Sequence, residues 1–175
     1  VTNNQMTTVF SSGAFLVVAI LMAVGGSSGS TSGGMKLSRL GLIAKSMVST
    51  IKETLSPGTA RVSVRYYHLG KKVLTTEVAK AALTVSALFV FTYLAGSLVG
   101  IAHGYDALDA IFESVSMASN GGLSSGIIAH GMPPVLEGVY ILEMWAGRLE
   151  FITLIALIVK VVVSLSALAK RKLRD

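Results

Sequence analysis

Gly25-Gly26-Ser27-Ser28-Gly29-Ser30-Thr31-Ser32-Gly33-Gly34 is an unbroken run of glycine, serine and threonine set directly after an apolar stretch from Ala14 to Val24. A basic, helix-compatible segment resumes at Met35. Backbone without regular hydrogen bonds is not tolerated against lipid; at membrane depth it is buried in protein or lines a water-filled cavity. Interrupted helices of this kind often form ion and substrate pathways. A Gly/Ser linker between two domains is the other reading of the same residues. The rest of the chain decides between them.

Composition points to a membrane. The 175 residues are 52% hydrophobic and only 14% charged, with a mean hydropathy of +0.69. A soluble domain carries about 25% charged residues, so the polar surface here is too sparse for a soluble globule. The chain has no cysteine, which excludes disulfides and thiolate metal sites and leaves the redox compartment open. No cleavable signal peptide is visible. Because the first residue is Val1 and the apolar run follows almost at once, the chain is expected to be a piece of something longer.

The net charge of +6 is not spread evenly. Lys36, Arg39, Lys45, Lys52, Arg61, Arg65, Lys71, Lys72 and Lys80 lie together, and Lys170, Arg171, Lys172 and Arg174 close the chain. Between Ala81 and Gly147 there is no Lys or Arg, only Asp106, Asp109, Glu113, Glu137 and Glu143 among the charged residues. The positive-inside rule places 35–80 and the C-terminus in the cytoplasm and 103–137 outside. Nucleic-acid binding would also explain basic clusters, but not their alternation with apolar spans.

Three apolar stretches fit this topology: 10–24 with its broken continuation to about residue 47, 78–102, and 135–168. The second is roughly 38 Å long as a helix, enough to cross with some tilt. The third is longer than a bilayer needs and is expected to project into the cytoplasm. Residues 56–72 read as a loop with a short strand over 61–67, where Val62, Val64 and Tyr66 alternate; Tyr66 and Tyr67 suit the membrane interface. The expected organisation is therefore a membrane helix over 1–55 broken at 25–34, a cytoplasmic linker over 56–77, a membrane helix over 78–102, an outer segment over 103–134, and a last membrane helix with a cytoplasmic tail over 135–175.

Function concentrates in the outer segment. From Asp106 to Met117 the apolar residues Ala107, Leu108, Ala110, Ile111, Val115 and Met117 recur with roughly helical period, and Asp106 is placed as an N-cap. The run is too short to span and is halted by Ala118-Ser119-Asn120-Gly121-Gly122-Leu123-Ser124-Ser125-Gly126. A short helix and a Gly- and hydroxyl-rich segment between two spanning helices is the layout of a re-entrant pore loop. Glycines let carbonyls turn toward an axis, where a ring of them replaces a cation's hydration shell. The negative end of the short helix's dipole favours a cation nearby. An interfacial amphipathic helix followed by an ordinary turn is the alternative.

Arg148 lies about thirteen residues into the last apolar stretch. Charges near mid-membrane are costly and usually face a bundle interior or a wet cavity, with a partner. Glu150 and Glu143 stand two and five residues away and are poorly placed for it on a helix, so Arg148 is expected to answer to other helices or to an ion pathway. A structural intramembrane salt bridge is the alternative.

Taken together these residues resemble the Trk/Ktr/HKT superfamily of potassium transport proteins. The run from Gly25 to Gly34 with Met35-Lys36-Leu37-Ser38-Arg39 is similar to its G-G-x-x-G-S-T-x-G-G-[IM]-K-x-x-R pattern. Asn120-Gly121-Gly122-Leu123-Ser124-Ser125-Gly126 is similar to its N-x-G-L-S-x-G filter, with one extra glycine. Gly147-Arg148-Leu149-Glu150 matches G-R-L-E. All three stand in the family's order and spacing, so the resemblance covers essentially the whole chain.

The resemblance implies an all-α membrane protein. The chain would hold the end of one helix–pore loop–helix unit and the whole of the next, out of four units around one cation pore. Backbone carbonyls of Ser119, Asn120, Gly121 and Gly122, followed by Leu123, would supply one quarter of a filter for K+, with Na+ as the alternative ion. Gly122 takes the filter-glycine position because Leu123-Ser124 follows it. Residues 25–34 would obstruct the pore below the filter and move on opening, and Arg148 would repel cations beside the pathway. Implied partners are the remaining units, a second copy in a homodimer, the bilayer, and cytosolic nucleotide-binding regulatory subunits docking on the basic 36–80 region and the tail. Anionic headgroups would attract the same basic residues. No covalently bound cofactor, enzymatic activity or nucleic-acid partner is expected.

Two other readings compete. Gly26-Ser27-Ser28-Gly29 satisfies the G-x-S-G of an intramembrane serine protease, but a serine needs a positioned base, and His68, His103 and His130 all fall outside the expected spans. A non-transporting membrane adaptor would explain the spans and basic tails but not the filter-like loop. A P-loop fails because Met35-Lys36-Leu37 follows Gly34 where Lys-[Ser/Thr] is required.

Overall fold

The computed structural model describes residues 11–27, 33–55, 65–67, 71–73, 75–149 and 151–172. Its elements are, in order, α1 (Ser12–Ala23), β1 (Val24–Gly25), β2 (Met35–Lys36), α2 (Leu37–Leu55), β3 (Arg65–Tyr67), β4 (Lys71–Val73), α3 (Thr76–Ala102), α4 (Ala107–Ser119), α5 (Pro134–Leu149) and α6 (Phe151–Lys172). The protein is thus overwhelmingly helical, in agreement with the all-α expectation.

Helix α1 begins where the Ser11 hydroxyl accepts the Ala14 N–H at 3.4 Å and ends at Ala23, two residues before Gly25. Beyond the break the chain returns to the same place. Strands β1 and β2 pair in parallel, Val24 opposite Met35 and Gly25 opposite Lys36, and the Leu37 N–H donates to the Gly26 carbonyl at 3.3 Å. The broken helix is therefore closed at its base by a short ladder, and α2 leaves from it. Ser28, Gly29, Ser30, Thr31 and Ser32 lie outside the described residues.

Within the expected linker, residues 61–64 and His68 also lie outside the described residues. The strand expected over 61–67 is described at Arg65–Tyr67, and it pairs antiparallel with β4, Tyr66 opposite Lys72.

Among the described residues, α3 is the one helix long and apolar enough to cross a membrane by length and composition. Its buried residues Ala79, Ala82, Val85, Ser86, Phe89, Tyr93, Gly96, Ser97 and Gly100 follow a three-and-four spacing and form one face. Small residues on that face let neighbouring backbones approach closely, which is how membrane helices associate without a hydrophobic drive between them.

Helix α4 is the hub. Among the described residues three buried apolar clusters draw on it: Val115 and Ala118 join Val85, Phe89, Tyr93, Ala146 and Phe151; Ala110 and Met117 join Ile127, Leu136 and Tyr140; Phe112 joins Phe15 and Ala19. Phe112 stacks on Phe15 with centroids 4.0 Å apart. Every residue from Phe112 to Ser119 is buried, whereas Ala107 and Ile111 nearer the start of α4 are exposed.

The apolar stretch expected as one helix over 135–168 is helical as α5 up to Leu149 and as α6 from Phe151, and position 150 lies outside the described residues. Pro134 starts α5 at a position where its missing N–H costs nothing. Leu136, Tyr140, Glu143, Ala146 and Gly147 make its buried face. Helix α6 enters the core through Phe151, packed edge-on against Phe89 at 4.8 Å between centroids.

Candidate functional site

The C-terminal end of α4 is where the separate motifs meet. Asp106 opens the helix, its carboxylate accepting the Leu108 N–H at 3.0 Å. Asp109 is half-buried one turn on, and burial, then the charge of Asp106, raise its carboxyl above its ordinary value. At the other end Asn120 adopts a left-handed conformation with φ 54 and ψ 37. The Asn120 N–H donates to the Met117 carbonyl at 3.0 Å and the Gly121 N–H to the Ser116 carbonyl at 2.9 Å. This is a Schellman termination, and asparagine is the non-glycine residue that tolerates it best.

The following carbonyls face other elements closely. A side chain at Gly147 would collide with the Ala118 carbonyl oxygen, and a Cβ at Gly33 would stand 2.7 Å from the Ser119 carbonyl oxygen and 2.9 Å from Asn120 Nδ2. Gly34, at φ +84, lies under the Ser119 side chain, and a Cβ at Gly121 would stand 2.8 Å from the Met22 sulfur. The helix end is thus gripped between the base of the broken helix on one side and α5 on the other. Asn120 Nδ2 also donates to the Met144 carbonyl at 3.3 Å, and Asn120, Ile141, Met144, Trp145 and Arg148 line one open pocket.

Of the residues singled out in the sequence, Ser119 is buried, Asn120 and Leu123 are half-buried, and Gly121 and Gly122 are exposed. Gly122 has φ +74, with open space where a Cβ would project. Gly25 belongs to β1, Gly26 and Ser27 follow it, and Gly33 and Gly34 are buried. Arg148 is exposed at the end of α5 and shares its pocket with Asn120. Glu150 lies outside the described residues.

Sequence reasoning missed the groups behind the loop. Glu113 is fully buried; its Oε2 accepts the Ser125 N–H and the Ser125 hydroxyl, both at 2.8 Å, and the Ser124 hydroxyl at 3.2 Å. The Ser116 hydroxyl donates to the Leu123 carbonyl and accepts the Leu123 N–H at 3.1 Å. The Ser114 hydroxyl reaches Glu143 Oε1 at 2.8 Å, with the Tyr93 carbonyl at 3.0 Å. The only signal for any of this was an acid in the apolar face of a short helix upstream of paired serines.

A buried short helix with a glycine-rich loop at its C-terminal end, set among longer helices, is the architecture of the described residues. A family model described as TrkH, cation transport protein, matches residues 10–166, and the chain belongs to that family. An uncharacterized cation transporter of Methanocaldococcus jannaschii is 36% identical over 143 residues, covering 82% of this chain and 29% of the relative. A Trk system potassium uptake protein TrkH of Escherichia coli strain K12 is 30% identical over 148 residues, with 82% and 30% covered. Its namesake in Halomonas elongata is 31% identical over 138 residues, with 77% and 28% covered. The chain spans about three tenths of the length of these relatives.

Proposed function

We propose that the chain is the C-terminal part of a potassium, or more broadly monovalent cation, uptake channel or transporter, in which α3, α4 and α5 form one of four helix–pore loop–helix units. The observation that carries this reading is the convergence on the end of α4: the loop after it, the base of the broken helix at Gly33 and Gly34, and Arg148 all lie there. Ser119 to Leu123 supply one filter loop, whose carbonyls take the place of water around K+ or Na+. Residues 25–34 obstruct the path beneath it, and Arg148 adds a positive barrier that is strong where the surroundings are poorly polarizable. The missing units of the same protein, a second copy and cytosolic nucleotide-binding subunits complete the assembly.

Among the described residues the serine-protease alternative gains no support: His103 is turned back onto the Val99 carbonyl at 2.7 Å and His130 is exposed in the loop before α5, while His68 lies outside the described residues.

Flux into liposomes carrying the full-length protein tests the reading. Gly122→Ser forces an L-residue into φ +74, at about 1–2 kcal/mol, without meeting any neighbour. K+ over Na+ discrimination should fall, while Gly138→Ala, which also meets open space on α5, leaves it intact. Unchanged discrimination in Gly122→Ser rejects the filter assignment.

A further inference from the structure

We infer that Glu113 is the positioning residue of the loop, a carboxyl clamp that fixes the height of the 120–123 backbone from behind. The inference rests on the filter reading above and deepens it. Three donors from two consecutive residues, the Ser125 N–H and the Ser124 and Ser125 hydroxyls, converge on a single carboxylate oxygen, Oε2, within 3.2 Å. The Ser124 hydroxyl in turn accepts the Gly126 N–H at 3.0 Å, so the whole 124–126 turn hangs from that oxygen.

Oε2 takes all three donors, while Oε1 is buried with no hydrogen-bond partner among the described residues. In its carboxylate form Glu113 accepts from all three without presenting a proton of its own, and such bonds are roughly twice as strong as neutral ones. Glu113 and Ser116 stand three residues apart on one side of α4. Ser116 holds Leu123 through both its N–H and its carbonyl, and Glu113 holds the two residues that follow. The loop is thereby pinned along four consecutive positions, 123 to 126, while the exposed glycines 121 and 122 stand just ahead of the pinned segment. Those glycines have no side chains to pack, so the clamp supplies the rigidity that a set of coordinating carbonyls needs.

A residue that merely fills the core would be replaced at no cost to selectivity by an uncharged group of the same shape. A positioning carboxylate would not. The test uses the full-length protein in liposomes, with K+ and Na+ uptake measured per folded molecule, for Glu113→Gln, Ser125→Ala and the double variant. Glu113→Gln should lower K+ over Na+ discrimination on the order of tenfold and raise the K+ concentration for half-maximal uptake. Ser125→Ala, which keeps the backbone donor, should show a smaller loss of the same kind. The double variant should be no worse than Glu113→Gln alone, because the two share one interaction. If Glu113→Gln does not yield folded protein, Ser125→Ala decides alone, and wild-type discrimination in it overturns the clamp. Additive losses in the double variant, or lower yield with unchanged selectivity, overturn it as well. Gly122→Ser run alongside separates the two ideas: if it alters discrimination and the clamp variants do not, the filter stands and the clamp falls.

Discussion

A methyl group at Gly147 would be driven into the Ala118 carbonyl oxygen, and one at Gly33 into the Ser119 carbonyl oxygen. Both obstacles are backbone atoms of a buried helix, so neither can rotate aside as a long side chain would. Alanine at either position must separate α4 from its neighbour, and overpacking of this kind costs about 1–3 kcal/mol. Gly41→Ala meets nothing within 4 Å and, within α2, should be neutral or slightly stabilising. The expected outcome is a lower melting temperature for Gly147→Ala in detergent and none of that loss for Gly41→Ala. Equal melting of Gly147→Ala and the parent would mean that α4 and α5 are not in backbone contact. Glycine at 147 was visible in the sequence only as part of a motif beside Arg148. Its steric reason appears once the carbonyl of a residue 29 positions earlier is set against it.

The break after α1 was legible because a run of Gly, Ser and Thr can neither continue a helix nor pack as one. The start of α4 was legible because Asp106 caps it as its residue type predicts. The return of the chain to form the β1–β2 ladder was not legible, since two-residue pairing leaves no periodic trace. Nor was β4, because Lys71 and Lys72 read as a basic loop and pair only where Tyr66 and Tyr67 offer a partner strand. The Glu113 clamp escaped notice for a similar reason: it depends on a left-handed turn at Asn120 that folds Ser124 and Ser125 back along the helix. At this scale the placement of Arg148 yields a prediction. It ends α5 exposed and beside Asn120, and among the described residues no ion pair holds it. Arg148→Ala, or shortening of 25–34, should therefore raise basal cation flux in the full-length protein while folded yield stays near the parent's. A structural salt bridge makes the opposite forecast, because removing the arginine would strand a buried carboxylate at a cost of about 3–5 kcal/mol. Lower yield with no gain in flux per folded molecule would reject the barrier role.

Across the whole molecule, the exposed apolar residues form surfaces that the described chain does not cover by itself. Leu16, Val17, Ile20 and Leu21 on α1, Phe91, Leu94 and Leu98 on α3, and Leu142 and Trp145 on α5 all face outward. In a chain spanning about three tenths of its relatives, such faces fit lipid and the remaining units of a larger bundle, which a soluble globule would not tolerate. The charge pattern then sets the orientation. Lys71 precedes α3, a helix of 27 residues and about 40 Å, and Asp106 follows it. If α4 and the loop after it re-enter without crossing, His130 lies on the same side as Asp106, and α5 with α6 returns the chain to the side of Lys71. The segregation of Lys and Arg predicts that this side is cytoplasmic. Single cysteines at 71, 106, 130 and 171 of an otherwise cysteine-free full-length protein should accordingly react with an impermeant thiol reagent outside intact cells at 106 and 130, and at 71 and 171 only after lysis. Reaction at 71 from outside would invert the orientation. Reaction at 106 but not at 130 would mean that α4 crosses the bilayer, and the four-unit pore reading would fall with it.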